Sequence, residues 1–106
     1  MQFLVQQIHG EDIFLTEALT LEANLAVDAA VAADQPFFLY MAHYAVHVPF
    51  ANDKRFIDRY LKAGLSKTEA MYAAIVEGMD KSLGDILANL KRHGLTDNTV
   101  FLFMSD

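Results

Sequence analysis

Between Pro36 and Pro49 the chain reads PFFLYMAHYAVHVP. Phe37 to Ala42 carry no charge, and two histidines, His43 and His47, follow. This stretch constrains the fold more than any other. A short unbroken apolar run is the signature of a strand buried on both faces. A buried helix fits less well, because the run is short, starts at a proline and opens with aromatic side chains that suit a pleated surface. Titratable groups at the end of such a strand come out at the rim of a sheet, where ligands bind in open α/β folds.

The other elements are read by how they serve that rim. Phe3 to Val5 suggest a short strand closed by Gly10. Thr16 is a plausible N-cap, with Glu17 in the first turn placed well against the helix dipole. Leu15, Leu19, Ala23, Ala26, Ala30 and Ala33 then recur at helical spacing. Asp34-Gln35-Pro36 ends this helix, since proline disfavours helical geometry just before it. After the histidines, Asn52 or Asp53 caps a short helix with Phe56, Ile57, Tyr60 and Leu61 as its apolar stripe, and Gly64 is its C′ residue. Ser66-Lys67-Thr68-Glu69 is a capping box. It opens a long helix carrying Tyr72, Ile75, Met79, Leu83, Ile86 and Leu90 along one side. Gly78 and Gly84 each cost about 1 kcal/mol against alanine, so each is expected to mark a close contact. Glu77, Asp80 and Lys81 are expected to face solvent or a neighbouring segment. Gly94 ends the helix, with His93 complementing its dipole.

Val100 to Met104 form a second apolar run, closed by Ser105 and Asp106. Strands alternating with helices imply parallel pairing through right-handed crossovers. The expected fold is therefore α/β, with parallel strands and crossover helices. Parallel strands end on one edge, so Asp106 is expected beside the loop of His43 and His47. One carboxylate and two imidazoles on one rim make a plausible metal or acid–base constellation. The plain alternative is that Asp106 caps a loop and the histidines hydrogen-bond backbone. No dense ligand motif such as HExxH decides between them.

Composition narrows the function classes. The 106 residues are 54% hydrophobic, against roughly 45–50% in average soluble chains. Charges or histidines interrupt every apolar run before the about 18 residues a membrane helix needs. The excess fits a piece of a larger protein whose apolar faces meet partners elsewhere. The net charge of −6 leaves no basic patch for nucleic acid. The absence of cysteine excludes disulfides, thiolate metal sites and cysteine nucleophiles within these residues. Met1 to Gly10 do not read as a signal peptide.

PFFLYMAHYAVHVPF and YAAIVEGMDKSLGDILANLKRHGLTDNTVFLFMSD together resemble the middle of a sulfatase of the arylsulfatase type, in the alkaline-phosphatase-like superfamily. ALTLEANLAVDAAVAADQPFFLY is similar to the family's helix leading into the same run. The resemblance covers Asp12 to Asp106 and implies an internal part of the catalytic domain, within an alkaline-phosphatase-like sandwich. It implies that His47 contacts the sulfate and helps protonate the leaving group. It implies that Asp106 opens the S-D-N-G segment and ligates a divalent cation, usually calcium. His43 matches a position where many relatives carry histidine, and takes a substrate-binding or structural role. Relatives are often exported, which suggests a periplasmic or secreted enzyme.

The departures are equally definite. The formylglycine nucleophile of the family arises in a C/S-x-P/A-x-R motif, and no such motif occurs here. The upstream aspartate pair is also absent. A lone carboxylate holds calcium poorly, since the ion takes about six to eight oxygens. The isolated residues are therefore expected to be inactive on sulfate esters. Two alternatives stay open at this point. One is a phosphoesterase or phosphonate hydrolase of the same superfamily. The other is a non-catalytic α/β module that self-associates through exposed apolar faces.

Overall fold

The computed structural model describes residues 13–48 and 50–105. The expected strand at Phe3 to Val5, and Asp106, lie outside the described residues. In chain order the elements are α1 (Leu15–Ala32), α2 (Ile57–Lys62), α3 (Lys67–Arg92) and a single 3₁₀ turn (Thr96–Asn98). None of the described helices is long and apolar enough to cross a membrane.

Helix α3 begins where the capping box places it. The Ser66 hydroxyl accepts from the Glu69 amide at 3.3 Å, and the Ser66 amide donates back to the Glu69 carboxylate at 3.0 Å. Hydrogen bonding to Ser66 holds the Glu69 carboxyl below its ordinary value. Gly64 and Gly94 follow α2 and α3 at φ +94° and +69°, the left-handed geometry of a C′ residue. Helix α1 starts two residues earlier than expected, with Phe14 at the N-cap, so Thr16 lies inside it and is buried. Its end is set by Asp34 at φ 53°.

The packing seam of α3 keeps Ile75, Ile86 and Leu90 of the large apolar stripe read in the sequence but otherwise runs through smaller residues. Ala70, Ala74, Gly78, Ser82, Ile86 and Leu90 are buried at intervals of four residues, while Tyr72 is exposed. Four of these are small, so a neighbouring backbone can approach closely along one ridge. Helix α1 answers with Thr16, Thr20, Ala23 and Val27, of which only Ala23 belongs to the face expected from Leu15 to Ala33. Cross-links advance in step along both helices: Lys81 to Glu17, Ser82 to Thr20, and His93 to Asp28. The two helices therefore run parallel. Ala23, Val27, Ile86 and Leu90 form the core between them, and α2 packs Ile57 on Ala70 and Ala74 farther along α3.

The α/β expectation is corrected here. Among the described residues no strand forms and no backbone hydrogen bond leaves 37–42 or 100–104. A strand needs a ladder partner for its amides and carbonyls, and an apolar run does not name that partner. Burial along 37–44 does alternate: Phe37, Leu39, Met41 and His43 are half-buried, and Phe38, Tyr40, Ala42 and Tyr44 are exposed. The inward set packs on the α1–α3 core. The run is thus buried on one face by helices instead of on two faces in a sheet. Val100, Leu102 and Met104 remain 84%, 77% and 82% exposed.

Candidate functional site

His43 and His47 sit on one loop, but in different surroundings. His43 continues the inward-facing set and reaches the α1–α3 seam, where its Nε2 lies 3.2 Å from Ser82 Oγ. Burial pushes its imidazole below the ordinary value of 6.5. His47 is exposed. Its amide donates to Tyr44 O at 3.2 Å, and its ring stands 5.8 Å from the Tyr44 ring. His47 Nδ1 lies 2.6 Å from Val48 O. A carbonyl only accepts, so Nδ1 carries the proton and Nε2 is left for exchange.

His47 borders a cavity of about 450 Å³ shared with Tyr44, Asn52, Lys54, Arg55 and Glu17. The cavity wall is built around Asp53, whose residue exposure is 0%. Arg55 grips it with two bonds, Nε to Oδ1 at 3.0 Å and Nη2 to Oδ2 at 2.8 Å, and reaches Glu17 of α1 with Nη1 at 2.5 Å. These bonds, with Asp53 first, raise the Arg55 pKa further. The guanidinium also lies over the Phe14 and Phe56 rings. A buried carboxylate needs such a partner, since unpaired it would be costly. The expected cap by Asn52 or Asp53 does not form: Phe56 is the N-cap of α2 and no side chain caps it. The Asp53 carboxylate is taken by Arg55, while the Asp53 carbonyl accepts from the amides of Phe56 and Ile57 as the chain turns into α2.

The charges around the cavity are largely committed. Glu17 is bound by Arg55 and Lys81, and Lys81 also pairs with Asp85, which raises its pKa. Glu77 takes Arg59 and the Tyr60 hydroxyl of α2. Lys54 has no ion-pair partner among the described residues, and it lines the cavity with His47. Sequence reasoning missed Lys54, Ser82 and Thr20. The signal for Ser82 was its four-residue register with Ala70, Ala74 and Gly78.

The structure brings His47 to the cavity rim and turns His43 to the helix seam. Asp106 lies outside the described residues, so its expected position beside them is not observed. Among the described residues no cluster of three or more His, Asp or Glu side chains is arranged to hold a metal ion. The carboxylates nearest the cavity, Asp53 and Glu17, are already bound by Arg55, so the described residues do not fit a calcium site.

Residues 10–106 match the family described as Sulfatase. The chain is 43% identical over 96 residues to an uncharacterized sulfatase, YdeN, of Escherichia coli (strain K12), covering 88% of this chain and 17% of that protein. It is 34% identical over 92 residues to the N-acetylgalactosamine-6-sulfatase of Mus musculus, covering 87% of this chain and 16% of that one. Among solved structures, Ps i-CgsB in complex with k-i-k-neocarrahexaose superposes with a TM-score of 0.74 at 32% identity, over 86% of this chain and 21% of that chain. The matched region is thus about a sixth to a fifth of these proteins, and on the match over nearly its whole length the chain belongs to the sulfatase family.

Proposed function

We propose that these residues are the part of a sulfatase catalytic domain that protonates the leaving group, with His47 as the acid. The observation that carries this reading is the 2.6 Å bond from His47 Nδ1 to Val48 O. It fixes the ring and leaves Nε2 as the nitrogen that exchanges a proton. Cleavage breaks the bond between sulfur and the ester oxygen as a nucleophile from the rest of the enzyme forms a new bond to the sulfur. That oxygen keeps the electron pair and takes the Nε2 proton of the imidazolium, and the Val48 carbonyl stabilises the charged ring before transfer. Lys54, on the same cavity, is the cation available to attract an anionic ester.

The family resemblance supports a formylglycine nucleophile and a divalent cation supplied by a larger catalytic domain, with Asp106 as one cation ligand. Bound there, the cation would neutralise charge on the sulfate oxygens. His43, turned to the helix seam, takes the structural one of its two expected roles in this reading and does not transfer a proton. The exposed apolar runs favour a second property, self-association of the 106 residues when they stand alone.

The test uses the complete enzyme containing this segment and a sugar sulfate ester. His47→Ala is expected to lower kcat/KM by about 10²–10⁴, the usual contribution of a positioned acid. His93→Ala, on the far end of the helix pair, serves as a control that should leave it within about twofold. Unchanged turnover in His47→Ala would remove His47 from the reaction.

A further inference from the structure

A chain of hydroxyls ties the histidine loop to the helix pair. Thr20 Oγ1 donates to Thr16 O at 2.7 Å. Ser82 Oγ lies 2.5 Å from Thr20 Oγ1, and His43 Nε2 lies 3.2 Å from Ser82 Oγ. Each hydroxyl owns one proton. The Thr20 proton goes to the Thr16 carbonyl, so the Ser82 proton goes to Thr20. Ser82 Oγ then accepts from His43, and His43 Nε2 is the protonated nitrogen. His43 Nδ1 is buried and has no hydrogen-bond partner.

We propose that Ser82 and Thr20 are positioning residues for the histidine loop, whose hydroxyl relay fixes His43 as the neutral Nε2–H tautomer and leaves Nδ1 solely an acceptor. The other protonation states fail on geometry. A proton on Nδ1 alone would sit buried without an acceptor, and Ser82 Oγ would face a bare lone pair with no proton between them. Protonating both nitrogens would place a charge at the seam, which burial already disfavours. His47 is held in the opposite tautomer by Val48. One loop therefore offers two imidazoles with opposite duties: His47 exchanges a proton at Nε2, and His43 is excluded as a second acid. Only this last consequence rests on the sulfatase reading.

The test is two-bond ¹H–¹⁵N correlation spectroscopy of the imidazoles in the labelled 106-residue chain at neutral pH. His43 and His47 are assigned by the loss of their signals in His43→Gln and His47→Gln. The wild type is expected to show His43 as a single Nε2–H tautomer. Ser82→Ala removes the acceptor, and the His43 signals should move to a tautomer mixture. Ser82→Thr should restore the single form. Thr20→Val frees the Ser82 proton to point at Nε2, and His43 should shift toward Nδ1–H. A wild-type His43 that is mixed, Nδ1–H or doubly protonated would overturn the proposal. So would a Ser82→Ala spectrum identical to wild type. Should Ser82→Ala lose its helical circular dichroism, Thr20→Val and the wild-type spectrum decide. Loss of the acid role of His47 in turnover would leave these spectra unchanged, so the two readings fail separately.

Discussion

Gly78 and Gly84 share one helix, and helix propensity alone treats them alike. Their surroundings separate them. A Cβ on Gly78 would stand 2.9 Å from Asp53 Oδ2 and 3.2 Å from Arg55 Nη2, whereas a Cβ on Gly84 meets nothing within 4 Å. The close contact read from both glycines exists at Gly78 only. Gly78→Ala is expected to destabilise the chain by about 1–3 kcal/mol, even though alanine is the better helix former by about 1 kcal/mol. Gly84→Ala should stabilise it by about 1 kcal/mol. Urea unfolding followed by circular dichroism reads both, and a Gly78→Ala chain as stable as wild type would contradict the packing of Asp53. His43 gives a pH signature at the same scale. Its folded pKa lies below 6.5, so the unfolded chain takes up the proton first. Stability is complete above 6.5 and falls as pH drops through the lower folded value. His43→Gln should flatten that part of the profile.

At the scale of elements, the capping box and the C′ glycines were legible, because each is a local hydrogen-bond or dihedral requirement written in adjacent residues. Ser66→Ala should cost about 1 kcal/mol in the same unfolding experiment. The faces of the helices were less legible. Helix α1 is apolar nearly all round, with Leu15, Leu21 and Leu25 left exposed, so periodicity does not choose a face. The choice is made by α3, whose Ser82 and Asn89 need polar partners that Thr20 and Asp28 supply. At the far end of that seam Asp28 also holds His93 at 2.7 Å and Arg92 at 3.3 Å. These contacts, His93 first, keep the Asp28 carboxyl below its ordinary 3.8. Its contribution is present above 3.8 and is lost as pH falls through the lower folded value. Acid unfolding should thus show a second descent below that of His43. Asp28→Asn should abolish the second descent and leave the first.

For the whole molecule, the runs at 37–42 and 100–104 announced burial but not architecture. Strand pairing is a long-range property, and neither run finds a ladder partner among the described residues. Phe38 at 83% exposed, with Val100, Leu102 and Met104, leaves apolar surface of the kind that associates. Light scattering of the 106-residue chain is expected to give a mass above that of the 11.9 kDa monomer. A compact monomer at high concentration would argue that these faces need no cover. The proposal for His47 rests on the family resemblance, since spacing alone favoured an ordinary loop histidine. Its chemistry is tested most directly by comparing sulfate esters of good and poor leaving groups in the complete enzyme and its His47→Ala variant. With His47 as the acid, the variant should lose far more activity on an alkyl sulfate, whose oxygen must be protonated, than on 4-nitrophenyl sulfate, whose oxygen leaves as a stable anion. Equal losses on the two esters would contradict the account.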